Sequence, residues 1–208
     1  MPERIKPMDI EKRSFEIITE LLGERRLDPE NELVIKRAIH TSADFDYADN
    51  LTFSDHAVQR GIEALRAGCD IVTDTQMAKA GINKTILASL GGEVHCFMAD
   101  PEVAEEARER GVTRAAVSME KAARLEKPCI FAVGNAPTAL LSLQTLMDAG
   151  RVSPALIVGV PVGFVNVVES KELIIERASA PFIVARGRKG GSNIAAAICN
   201  AMLYQIRR

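Results

Sequence analysis

Cys129-Ile-Phe-Ala-Val-Gly-Asn-Ala-Pro-Thr138 is an unbroken apolar run of five residues that ends in glycine, a small polar residue and proline. Because the run does not alternate, its strand is covered on both faces, as a parallel strand between helical layers is. Gly134 supplies a tight turn and Pro137 suits the first position of a helix, whose free N–H groups would face the crevice beyond the strand end. After a helical stretch at 136–150 comes a second apolar run, Ala155-Leu-Ile-Val-Gly-Val160. Strand, helix and strand in that order make a right-handed βαβ crossover.

Outward from this unit the pattern repeats. Asp70-Ile-Val-Thr73, Glu93-Val-His-Cys-Phe-Met98 and Pro181-Phe-Ile-Val-Ala185 read as three further strands, and segments 100–125 and 164–178 are long enough for crossover helices. The expected fold is α/β: a three-layer α/β/α arrangement around a mainly parallel five-stranded sheet. Helical stretches at 8–22, 29–41 and 54–67, the last with Ser54 as its cap, precede the first strand and form an added N-terminal section. A final helix covers 192–206. With no Ser/Gly-rich linker and no internal repeat, residues 1–208 read as one domain.

Composition narrows the partners. The 208 residues include 26 basic and 28 acidic side chains, a net charge of -2, so no global field gathers nucleic acid or an anionic membrane. An anionic ligand must be caught by a local cluster. Residues 1–10 are charged and lack an apolar core, and no later run approaches a membrane span, so the expected protein is soluble and cytoplasmic, without membrane or nucleic-acid partners. Cys69, Cys96, Cys129 and Cys199 stand singly, with no C-x-x-C pair, and read as buried free thiols. Neither a Walker A spacing nor a G-x-G-x-x-G fingerprint occurs, no two histidines have metal-ligand spacing, and no cofactor or metal is expected.

The densest polar stretch is Arg37-Ala-Ile-His-Thr-Ser-Ala-Asp-Phe-Asp-Tyr-Ala-Asp49. Histidine titrates near pH 6.5 and is readily tuned for proton transfer, which makes His40 the candidate catalytic residue. On a continuing helix, Leu33, Arg37, His40 and Asp44 share one face. The plainer account is a histidine that complements a helix C-terminus. His95, within an apolar strand, reads as a satisfied buried residue, and His56 as surface. Gly187-Arg-Lys-Gly-Gly-Ser192 places Arg188 and Lys189 before a helix N-terminus at Ser192, a carboxylate or phosphate clamp if it is not simply a solvated basic loop. The turn carrying Asn135 is an anion site or an ordinary strand-to-helix connection. Arg114, after Gly111-Val-Thr113, begins a helix near the crevice, and Ser14 lies in Lys12-Arg-Ser-Phe15.

Taken together, the 37–49 stretch, Gly134-Asn-Ala-Pro-Thr-Ala-Leu140, Gly159-Val-Pro-Val-Gly-Phe-Val-Asn-Val-Val-Glu-Ser-Lys171 and Gly187-Arg-Lys-Gly-Gly-Ser-Asn193 resemble the precorrin-8X methylmutase family, from about Ser14 to the last helix. These isomerases of corrin (cobalamin) biosynthesis shift a methyl group from C-11 to C-12 of the macrocycle. The resemblance implies a flavodoxin-like fold and a homodimer, with the family's catalytic histidine at His40 and substrate contacts at Ser14, Arg37 and Arg114. A tetrapyrrole rimmed by acetates and propionates would then meet Arg37, Arg114, Arg188 and Lys189, with helix N-termini near Asn135 and Ser192. A methyl shift between adjacent ring carbons needs no protein-bound metal, nucleotide or covalent nucleophile. Two rivals use the same fold: a corrinoid carrier without turnover, and a nucleotide binder.

Overall fold

The computed structural model describes residue 6 and residues 9–206; Met8, the expected start of the first helix, lies outside the described residues. The chain opens with α1 (Ile10–Leu22), α2 (Glu32–Ser42), the short α3 (Tyr47–Asn50), β1 (Leu51–Phe53) and α4 (Ala57–Arg66). Next come β2 (Asp70–Thr73), α5 (Gln76–Gly81), α6 (Lys84–Ser89), β3 (Val94–His95), α7 (Pro101–Arg110) and α8 (Arg114–Ala122). β4 (Cys129–Val133), α9 (Pro137–Asp148), β5 (Leu156–Gly159), α10 (Val167–Arg177), β6 (Phe182–Ala185) and α11 (Ser192–Ile206) complete it.

One sheet has the order β1-β6-β5-β4-β2-β3, parallel throughout except for β1 against β6. It therefore has six strands, not five. Leu51-Thr-Phe53 escaped the sequence reading because an edge strand of three residues with one buried side chain carries no apolar run. Its pairing, Leu51 opposite Ala185, is pinned by Ser54, whose hydroxyl accepts the Phe182 N–H at 2.9 Å. Ser54 is thus a strand fastener rather than the cap of α4, which begins at Ala57 behind a left-handed His56. The strand expected at 93–98 shrinks to Val94–His95, on the opposite edge.

Every residue of the four central strands is buried. Their side chains alternate between two cores, as the pleat requires. Ile71, Ile130, Leu156 and Ile183 pack toward α4, α5 and α11, whereas Val72, Phe131, Ile157 and Val184 pack toward α8, α9 and α10. α11 is apolar nearly all round because it lies on the sheet and is itself covered by α2, with α1 outside that. The N-terminal section is therefore an extra shell over one helical layer. Segment 100–125 is split in two where Gly111 turns left-handed and the Thr113 hydroxyl caps α8 by accepting the Ala116 N–H. Among the described residues, no helix is long and apolar enough to cross a membrane.

Candidate active site

α2 ends at Ser42, with Ala43 in the left-handed region, so His40 occupies its last turn and Asp44 lies beyond it. The four-residue face expected from helical spacing does not form. His40 is exposed, and its Nδ1 shares a 2.8 Å hydrogen bond with the Ser14 hydroxyl of α1. Phe15, the next residue, meets the imidazole edge-on at 5.7 Å between centroids. With Nδ1 engaged, Nε2 is the nitrogen left for an incoming group.

Arg37 is the residue that holds α1 in place. Its guanidinium donates to both carboxylate oxygens of Glu11, at 3.0 and 2.7 Å, and lies between the rings of Phe15 and Tyr204, 5.0 and 5.1 Å from their centroids. At 8% exposure it is no rim cation. The family resemblance assigned it to substrate and helical spacing set it on the His40 face, whereas the ring sandwich that buries it comes from two distant elements. Arg37 thereby fixes Ser14, and Ser14 fixes His40.

Lys189 also differs from expectation. Its ammonium is taken by Asp44 at 2.6 Å and Asp46 at 2.5 Å, and these hydrogen bonds raise the lysine pKa while Lys189 lowers that of Asp44. It is an exposed link rather than a free clamp, and what it links matters. The loop after α2 and the basic loop after β6 become one surface, with His40 one helical turn away. Arg188 is exposed and stacks over the Phe164 ring at 5.8 Å, and among the described residues it forms no ion pair. Around it the loop after β5 exposes Phe164 at 82% and Val165 at 79%. A cation beside bare apolar side chains suits a large ring with carboxylate arms.

The anion site expected at Asn135 is filled from within. Asp74, fully buried at the end of β2, accepts the N–H groups of Gly134, Asn135 and Ala136 at 2.8, 2.8 and 2.6 Å. Burial raises its pKa against the pull of those three donors. Asp74 makes this turn an ordinary strand-to-helix connection, in which Asn135 is exposed. Ser192 is likewise tied, its hydroxyl 2.7 Å from that of Thr75. Gly134 is required where these loops meet, since a Cβ there would lie 2.7 Å from the Ser192 Cα. Arg114 is exposed at the start of α8, in the helical layer across the sheet from α2 and His40.

His95, half-buried, bonds the buried Asp70 at 3.0 Å, and His56 pairs with Glu30 at the surface. All four cysteines are free and buried. Among the described residues no cluster of three His, Cys, Asp or Glu side chains is arranged to hold a metal ion. The sequence reading passed over Glu11 and Tyr204, took Asp74 only as a polar residue at a strand end, and quoted Lys171 only as the close of a motif. For Lys171 a signal existed: with Val167 and Ile174 it falls on the buried stripe of α10, where a lysine is out of place.

The chain is similar to known proteins along nearly its whole length. Residues 9–205 match the family described as precorrin-8X methylmutase. A cobalt-precorrin-8 methylmutase from Salmonella typhimurium is 47% identical, over 97% of each chain. A precorrin-8X methylmutase from Pseudomonas aeruginosa is 37% identical over 93% of each. The crystal structure of a precorrin-8X methylmutase from Thermus thermophilus superposes with a TM-score of 0.86 at 38% identity, covering 96% of this chain and 98% of its own. On the match along nearly its whole length in sequence and fold, the chain belongs to the precorrin-8X methylmutase family.

Proposed function

We propose that the protein is a methylmutase of corrin biosynthesis, an isomerase that moves a methyl group from C-11 to C-12 of precorrin-8X or cobalt-precorrin-8 to give hydrogenobyrinate or cobyrinate. The observation that carries the catalytic assignment is the Ser14–His40 pair, an exposed imidazole oriented through Nδ1 by a hydroxyl on another helix. In a [1,5]-sigmatropic shift the migrating carbon keeps its bond count and nothing leaves. The protein's task is then to bias the ring's π-system and tautomer. With the Ser14 hydroxyl donating to Nδ1, a neutral imidazole carries its proton on Nε2 and can give it, or hydrogen-bond it, to the macrocycle as a general acid. Arg188 supplies a cation for a peripheral carboxylate, and Phe164 and Val165 offer apolar surface to the ring.

In this reading the protein acts in the cytoplasm as a homodimer. Its support is that His40 and Arg114 belong to helical layers on opposite faces of the sheet within one copy, an arrangement in which a second copy would offer its Arg114 to the same large substrate. Sedimentation equilibrium of an active sample that showed only monomer would rule this out. The test of the activity is to add precorrin-8X, then its cobalt form, and follow the visible spectrum for product. Turnover by the wild type that is lost in His40→Asn supports the enzyme, whereas binding without turnover indicates a corrinoid carrier.

A further inference from the structure

Lys171 is fully buried on the sheet-facing stripe of α10. An ammonium there is costly unless every donor finds a partner. Among the described residues no carboxylate takes it. Its Nζ donates to the backbone carbonyls of Gly187 and Lys189, each at 2.8 Å, while the neighbouring Glu172 is engaged by Arg186 at 3.0 Å. The carbonyl between those two, that of Arg188, accepts the Gly163 N–H at 3.2 Å. Three successive carbonyls of the basic loop are thus held from inside. Beyond them Gly191 donates to the Val160 carbonyl at 2.9 Å, and a Cβ on Gly190 would lie 2.1 Å from that same oxygen.

A loop with glycine at 187, 190 and 191 would otherwise be among the freest in the chain, and each residue ordered on ligand binding costs about 1 kcal/mol. Tying its backbone beforehand removes that cost from the binding step. Backbone carbonyls do this without placing a carboxylate beside the clamp, where it would compete with an anionic ligand for Arg188.

We infer that Lys171 is a positioning residue for substrate: by tying the carbonyls of Gly187 and Lys189 it presets the loop that presents Arg188 over Phe164 to the carboxylate-bearing macrocycle. This rests on the substrate class proposed above. Lys171 touches no substrate and acts through Arg188.

The experiment is steady-state turnover of precorrin-8X, with hydrogenobyrinate binding read by absorbance, for wild type, Lys171→Met, Arg188→Ala and the double variant. Lys171→Met raises KM and the product Kd about tenfold, as loss of a charge-assisted contact does, and leaves kcat within about twofold because His40 sits on another element. Arg188→Ala has a similar effect, and the double variant is no worse than Arg188→Ala alone to within about twofold, since the two act as one unit. An unchanged KM in a folded Lys171→Met, or losses that multiply in the double variant, would overturn the proposal. Should Lys171→Met not fold, amide exchange in the wild type decides. Gly163 and Gly191 are protected without ligand and change little on adding hydrogenobyrinate; exchange that is fast until ligand arrives overturns the preset loop. Wild-type protein that turns over neither precorrin-8X nor its cobalt form, and binds neither hydrogenobyrinate nor cobyrinate, defeats the substrate reading and this proposal with it. Normal wild-type turnover with an unaltered Lys171→Met defeats this proposal alone.

Discussion

At the scale of the residue, the site is a relay of orientation that runs Glu11, Arg37, Ser14, His40 across two helices. Each member has a distinct predicted phenotype. His40→Asn lowers kcat by about 10²- to 10⁴-fold, the usual worth of a general acid, with little change in KM. Ser14→Ala keeps the imidazole but frees its ring and tautomer, so kcat falls by about tenfold, the cost of one hydrogen bond. Arg37→Ala acts earlier in the relay. Removing it costs about 2 kcal/mol in urea unfolding, below the range for fully buried pairs because Glu11 remains partly in water, and kcat falls with it because α1 carries Ser14. If Arg37→Ala instead raised KM at constant kcat and stability, Arg37 would be a substrate contact after all. His40 stood out in the sequence as a histidine in a polar stretch; pattern alone favoured a complement to the helix dipole, and the family resemblance marked it for proton transfer. Its partner was not legible there, because Ser14 lies 26 residues away and no helical period connects two different helices.

At the scale of the element, the ends of the parallel strands are where expectation and structure part most clearly. Helix N-termini beyond such strands commonly receive anions, and the turn after β4 has that form. Asp74 occupies it, placing a carboxylate where a ligand's phosphate would otherwise sit. Two outcomes follow. Asp74→Ala takes the acceptor from three N–H groups, that of Gly134 fully buried, and destabilises the fold by about 3 kcal/mol in thermal or urea unfolding. Inorganic phosphate gives the wild type no thermal shift through this turn, and a shift that vanished on mutating the turn would refute the internal-anion account. The nucleotide-binding rival loses one of its two candidate phosphate sites in the same observation. The basic loop after β6, by contrast, keeps Arg188 available and commits Lys189 to Asp44 and Asp46. Both are adjacent cations in the sequence, and only the loop that approaches from α2 decides which one is spent.

For the whole molecule, the sheet separates two cores, and the thiols report on their integrity. Burial pushes Cys69 and Cys199 up to about 12 and Cys129 to about 11, from an ordinary thiol value of 9.0. These thiols stay neutral in the native state and react with a thiol reagent only as the protein unfolds. A folded pKa above the unfolded one contributes stability that is complete below pH 9 and is lost as pH rises through the folded values. Alkaline unfolding between about pH 9 and 12 should therefore soften when Cys199→Ala replaces the thiol, measured by urea midpoints across that range. Equal alkaline slopes in both proteins would show that other groups govern the loss.

Apolar runs, their lengths and the glycine or proline that follows them determined the α/β layering, the four central strands and the closing helix. Those features depend on local hydrophobic pattern, which a sequence carries directly. The tertiary structure alone decided that β1 closes the sheet antiparallel, that Arg37 is a fastener, that Asp74 fills an anion site and that Lys171 holds the loop of Arg188. Each of these depends on a partner from a distant element, and desolvation makes such a pairing decisive: a buried charge must be met by whatever the fold brings beside it.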